Sequence, residues 1–157
     1  MASATSNTSS SYSTSETSLE LLKTFTHSWR ITSLTPEILT TAAVGAYVTS
    51  QFFKASGGHE YKLYAYLCGE KAEDAGHLSV SLALASADSK VTVVCHVVVA
   101  DVVSQAYTVT PSTRGEPPLP RVPWPRLVSH AALLAAPDKF FPGGALTVVV
   151  KLRESGH

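Results

Sequence analysis

Residues 77–85 read HLSVSLALA, and this stretch decides the class of fold. Every second side chain in it is apolar: Leu78, Val80, Leu82 and Leu84. A period of two is typical of a β-strand that turns one face to a core. After a short polar turn, residues 91–100 (VTVVCHVVVA) are apolar on both faces. Such a segment indicates a central strand that is covered on each side.

Five further segments carry strand signals: residues 25–33 (FTHSWRITS), 45–53 (GAYVTSQFF), 61–67 (YKLYAYL), 105–110 and 145–152. Short strands separated by glycine and polar turns indicate an antiparallel sandwich or a barrel. In the first segment, Trp29 shares a pleat face with Phe25 and Ile31, so we expect Trp29 to be buried. Residues 130–136 (HAALLAA) favour a short helix that stops before Pro137.

The N-terminal part of the chain has a different composition. Residues 1–18 contain twelve Ser or Thr and no Leu, Ile, Val or Phe. Such a segment buries too little apolar surface to offset its ordering entropy. We therefore expect residues 1–18 to be a disordered tail and residues 19–157 to be one domain.

Composition and charge narrow the choice of partners. Twelve Lys and Arg balance twelve Asp and Glu, so no net field attracts nucleic acid or acidic lipids. No apolar run approaches the roughly 20 residues of a membrane span, and no secretory signal opens the chain. With only two cysteines, Cys68 and Cys95, we expect reduced thiols and a cytoplasmic or nuclear protein.

The sequence lacks the patterns of an enzyme or a metal site. There is no Gly-x-Ser-x-Gly elbow and no His-Glu-x-x-His pair. Cys95 and His96 are neighbours, and neighbours on a strand point to opposite faces. A cross-strand metal site of His77, Cys95 and His96 would require their strands to pair. We predict no catalysis, no cofactor and no metal.

A proline-rich stretch precedes the short predicted helix. Residues 114–126 carry five prolines, which argues against a central strand. Within it, residues 114–120 (RGEPPLP) fit the pattern R-x-x-P-x-x-P of segments that bind SH3-type grooves. The alternative is a long connection between strands that proline stiffens.

The order of these segments resembles the MATH (TRAF-like) domain, and within it the substrate-recognition domain of speckle-type POZ proteins. Four early segments carry the resemblance: residues 25–31 (FTHSWRI), 45–53 (GAYVTSQFF), 61–69 (YKLYAYLCG) and 78–82 (LSVSL). Three later ones follow in the family's order: Trp124-Pro125, residues 131–134 (AALL) and 140–144 (FFPGG).

The resemblance implies an antiparallel β-sandwich of about seven to eight strands that binds extended peptides of partner proteins. Proteins of this family often deliver substrates to a cullin ubiquitin ligase through a BTB domain. Residues 1–157 hold no segment for a BTB domain, so we expect that link to run through a longer protein or a partner, or the domain to act as a stand-alone module. A structural or oligomerising scaffold, as in TRAF proteins, is the alternative, although residues 18–23 offer no heptads.

The resemblance also implies where a peptide would bind. The family's groove positions fall on Ser81, Cys95, Val122, Trp124 and Arg126. Small side chains replace two family aromatics at Ser81 and Cys95, and Val122-Pro123 replaces a Lys-Asp pair. We therefore expect a shallow pocket that prefers a bulky apolar residue, with Trp124 as a partly exposed anchor and Val122 and Arg126 at the rim.

Overall fold

The computed structural model describes residues 24–32, 34–55, 58–84, 91–109 and 121–156. The strands in this part are β1 (Thr24–Ile31), β2 (Tyr47–Thr49), β3 (Phe53–Lys54), β4 (Glu60–Tyr66), β5 (His77–Leu84), β6 (Val91–Val99), β7 (Val102–Val103), β8 (Tyr107–Val109), β9 (Arg121–Ser129) and β10 (Leu146–Gly156). The helices are α1 (Pro36–Thr41), α2 (His130–Ala135) and α3 (Pro137–Phe140), with 3-10 turns at Ala72–Asp74 and Pro142–Gly144.

The strands form two antiparallel sheets. The first sheet has the order β9-β5-β4-β2, with β3 also paired to β4. The second sheet has the order β1-β10-β6-β7, with β8 also paired to β6. This arrangement confirms the predicted antiparallel sandwich. It places β9 and the β7–β8 segment along one side of the molecule, and β1 with the β2–β3 segment along the opposite side.

The core lies between the two sheets and follows the period-two pattern of the sequence. All four apolar positions of β5 belong to it, together with alternate residues of β6 and β10. A fully buried aliphatic side chain of this kind contributes about 1.5–3 kcal/mol. Trp29 differs from expectation because it is half-buried. Its strand, β1, lies at the edge of the described sheet, and Trp29 lines a cleft at that edge.

Two strand predictions change in detail. Residues 45–53 form two short strands because Ser50 interrupts the ladder: its Oγ accepts the Leu63 N–H at 2.9 Å and donates to the Gln51 carbonyl. Residues 121–129 form β9 even though they contain Pro123 and Pro125. Proline is tolerated there because β9 is an edge strand, so residues 121–126 belong to a strand and not to an irregular connection.

The predicted helix before the last strand is confirmed as α2, which ends just before Pro137. Helix α1 was not predicted from the sequence. Thr35 caps it by accepting the Ile38 N–H at 3.3 Å, and Pro36 occupies its first position. The predicted tail (residues 1–18) and the SH3-type motif (residues 114–120) lie outside the described residues. Within the described chain, no helix has the length and apolarity to span a membrane.

Candidate functional site

A groove runs between β9 of the first sheet and the β7–β8 segment of the second. Its volume is about 400 Å³. The residues that line it are Val103, Ser104, Gln105, Tyr107, Trp124, Pro125, Arg126 and Leu127. Val103 stands at its rim with 61% of its surface exposed. We call this feature the β8–β9 groove.

Trp124 forms the inner wall of the β8–β9 groove. Its side chain is 4% exposed, so the expectation of a partly exposed anchor is wrong. The indole Nε1–H donates to the Gln105 carbonyl at 2.9 Å, and the ring lies 5.8 Å from that of Tyr107. These contacts join the two sheets across the groove. Trp124 therefore supports the site rather than standing free in it.

Arg126 lies where β9 leaves its ladder, because the register with β5 shifts between Trp124 and Val128. The guanidinium donates to Asp74 Oδ1 at 2.9 Å and to the Glu73 carbonyl at 2.8 Å. Its side chain remains 57% exposed at the rim of the groove. Since Asp74 offsets its charge, Arg126 gives the groove little net attraction for an acidic ligand.

The other three predicted site residues do not line the groove. Val122 and Cys95 are buried in the core, so Val122 is not at a rim. Ser81 lies opposite Pro123, on the face of β5 that points away from the core. The predicted convergence of Ser81, Cys95 and Trp124 is therefore absent: Trp124 lies opposite Val80, and because successive residues of a strand face opposite sides, Ser81 faces away from Trp124.

Sequence reasoning missed the residues on the far side of the groove. Val103, Gln105 and Tyr107 come from the segment just after the central strand β6. Val103 belongs to the two-residue strand β7, and its exposure is visible only in the structure. Their position opposite β9 depends on the pairing of strands from two sheets, which sequence order does not provide.

The edge of β9 offers few backbone donors. Pro123 and Pro125 have no N–H, and the Pro125 carbonyl already accepts the Ser79 hydroxyl. Proline and an irregular register are the devices by which an edge strand resists the addition of another strand. A ligand of the β8–β9 groove must therefore rely mainly on side-chain contacts.

In the described structure, the Cys95 thiol does not come together with the His77 and His96 imidazoles as a reactive or metal-binding group. Burial raises the pKa of Cys95 to about 12, so its thiol is protonated at neutral pH. His77 lies in the first sheet, whereas Cys95 and His96 lie in the second, so the conceivable metal site is not assembled. No cluster of three His, Cys, Asp or Glu suited to a metal occurs in the described ranges.

A buried polar group joins the sheets at another point. Glu154 of β10, 7% exposed, accepts the Tyr61 hydroxyl at 2.5 Å and lies 3.1 Å from His59 Nδ1. Burial, followed by the bond to Glu154, raises the pKa of Tyr61, so the phenol stays protonated. This arrangement ties β4 to β10 across the sandwich.

The two antiparallel sheets form a β-sandwich with few helices, the architecture of TRAF-like domains, which generally serve as protein-interaction modules. The family model described as the MATH domain matches residues 26–152, so the chain belongs to the MATH domain family. Among solved structures, TRAF5 of Notothenia coriiceps has a similar fold, with a TM-score of 0.56 and 18% identity. That similarity covers 91% of this chain and 81% of the other. No curated protein matches by sequence.

Proposed function

We propose that the β8–β9 groove binds a segment of a partner protein by enclosing one bulky apolar side chain. The observation that carries the proposal is the groove itself, about 400 Å³ in volume, between exposed Val103 and the buried ring of Trp124. This volume lies in the range of about 300–1,000 Å³ that is typical of ligand pockets. Membership in a family of interaction modules supports the same function.

The chemistry of the groove favours an apolar ligand. The Arg126 guanidinium is paired with Asp74, and Trp124 and Tyr107 supply an aromatic wall. The proline-containing edge limits main-chain hydrogen bonds, so burial of one side chain must supply most of the affinity. A run of small hydroxyl residues would bury little surface there.

A peptide array of the full chain, followed by titration, tests this function. Val103→Asp places a charge at the rim and should weaken the best apolar peptide roughly tenfold or more. The change should leave the urea midpoint unchanged, because Val103 is exposed. Tyr47→Ala is the control and should leave the affinity unchanged, since Tyr47 is 54% exposed in β2, at the opposite edge of the first sheet from β9. Equal affinity for wild type and Val103→Asp would exclude the groove.

We further propose that this binding selects substrates for a cullin ubiquitin ligase in the cytoplasm or nucleus. The resemblance to speckle-type POZ proteins supports the adaptor role, and the free thiols of Cys68 and Cys95 fit the reducing compartments proposed. The test is co-purification of the full chain with a cullin from cells, compared with Val103→Asp. A cullin-free precipitate that contains the peptide partner would contradict the adaptor role while leaving the groove intact.

A further inference from the structure

The segment between β7 and β8 brings Gln105 to the β8–β9 groove. The regular ladder with β6 is interrupted between these two strands. The Ser104 hydroxyl accepts the Val97 N–H at 2.9 Å there and donates to the Gln105 carbonyl at 2.9 Å. The same carbonyl accepts the Trp124 Nε1–H from the first sheet. Both lone pairs of the carbonyl are therefore used, and the backbone of Gln105 is fixed beside the groove.

The side-chain amide of Gln105 is held at one end and open at the other. Its Nε2 donates to the Tyr107 hydroxyl at 2.6 Å. Among the described residues, Tyr107 is the only hydrogen-bond partner of this amide, although a primary amide has a second N–H and a carbonyl oxygen. The side chain is exposed and lines the groove. One donor and one acceptor are therefore available to a bound segment.

This donor and acceptor match the main chain of an extended peptide. In an extended segment the N–H and C=O of one residue point to the same side, so one planar amide can bind both. The edge of β9 cannot supply these bonds, because Pro123 and Pro125 have no N–H and the Pro125 carbonyl already accepts the Ser79 hydroxyl. The bond to Tyr107 also restricts the Gln105 side chain before binding, which lowers the entropy cost of the complex.

We propose that the Gln105 amide binds the N–H and C=O of one residue in the segment whose apolar side chain enters the groove. This inference rests on the proposed function and adds the class of segment: extended, and without proline at the residue that Gln105 contacts. Proline has no N–H to donate to Gln105 Oε1, so the groove selects against proline-rich segments in the polyproline conformation.

The probe is a library of acetylated, amidated octapeptides that carry one Phe, Trp or Leu among Ala and Ser, titrated against the full chain. The best octapeptide should lose about tenfold in affinity with Gln105→Met, because Met keeps the length of the side chain and removes both polar groups. The urea midpoint should match wild type, since the main-chain carbonyl that accepts Trp124 is retained. Gln51→Met is the matched control: Gln51 is exposed between β2 and β3 and should leave the affinity unchanged.

Ester substitution of the octapeptide tests the contact with the main chain. Each amide N–H of the best octapeptide is replaced in turn by an ester oxygen, which removes one donor. At one position the ester should lower the affinity of wild type several-fold and leave that of Gln105→Met unchanged, because the amide that binds there is already absent. This coupling is the readout of a double-mutant cycle, and an indirect structural effect of Gln105 would not produce it at a single position.

Three outcomes would overturn the inference. Unchanged affinity in Gln105→Met, together with weaker binding in Val103→Asp, would rule out Gln105 and leave the proposed function standing. Ester losses that are equal in wild type and Gln105→Met at every position would show that Gln105 does not contact the main chain of the peptide. Failure of every octapeptide to bind wild type would remove both the proposed function of the groove and this inference.

Discussion

Replacing Trp124 by alanine should cost a large part of the stability of this domain. The side chain is buried in the core, its Nε1–H donates to Gln105, and its ring contacts Tyr107. Truncation of a buried tryptophan costs about 3–5 kcal/mol. Since single domains have about 5–15 kcal/mol in total, Trp124→Ala should remain folded only marginally at 37 °C.

The contribution of the indole hydrogen bond can be separated from that of the ring. Trp124→Phe keeps an aromatic side chain and removes the N–H donor, so its cost should be smaller than that of alanine. The hydrogen-bond part of that cost should be about 0.5–1.5 kcal/mol. Val103→Ala is the control for both, since a substitution at an exposed position falls within about ±0.5 kcal/mol.

Urea unfolding followed by circular dichroism measures these differences, with the midpoint as the readout and the slope as a check on two-state behaviour. We expect Trp124→Ala to lower the unfolding free energy most, Trp124→Phe to lower it less, and Val103→Ala to leave it nearly unchanged. A loss below about 1 kcal/mol for Trp124→Ala would show that the ring is not a buried wall of the groove, because such a loss is far below the cost of emptying a core position.

Three further predictions concern other parts of the chain. Gly69→Ala should destabilise the fold by more than the roughly 1–3 kcal/mol of a strained backbone, because φ is +85° and a new Cβ would collide with the Asp74 carbonyl. Gly76→Ala is the control: its φ is +83°, but the space around it is open, so only the backbone strain should appear. Equal urea midpoints for the two variants would refute the collision at Gly69. Cys95 should resist a disulfide reagent at pH 8 in the folded protein and react only after unfolding, so a count of two fast thiols would contradict its burial and raised pKa. His27 should weaken the fold as the pH falls below 6.5, the pKa of an unfolded histidine, because burial lowers the pKa in the folded state and the unfolded chain takes up the proton first. The difference in unfolding free energy between wild type and His27→Gln should therefore shrink between about pH 7.5 and pH 5. A difference that stays constant over this range would disprove the lowered pKa.

The sequence predicted those parts of the fold that depend on local pattern. The alternation in β5 and the long apolar strand β6 were predicted with nearly correct bounds, since each side chain's face follows from the pleat. The break at Ser50 was missed because its cause is a hydroxyl that bonds to β4, thirteen residues away. Helix α1 has a local signal in the capping Thr35 and in Pro36 at its first position, but at six residues it is too short for a clear hydrophobic period.

The candidate site was less predictable, because its residues meet through pairings between distant strands. Trp124 and Arg126 do line the β8–β9 groove, whereas Ser81 lies on another face and Cys95 is in the core. The burial of Trp124 depends on Gln105 and Tyr107, which approach it from the second sheet. The match to a family motif gives the position of Trp124 along the chain, but it does not give the contacts with Gln105 and Tyr107 that bury its ring.

The most direct test of peptide binding in the β8–β9 groove is an NMR titration of the uniformly ¹⁵N-labelled full chain with the best apolar peptide from the array. We expect the amide shifts to change for Val103, Gln105 and Tyr107 on one wall and for Trp124 and Leu127 on the other, and to stay constant in β2. Shifts that leave both walls unchanged, while another surface responds or none does, would contradict the proposed function.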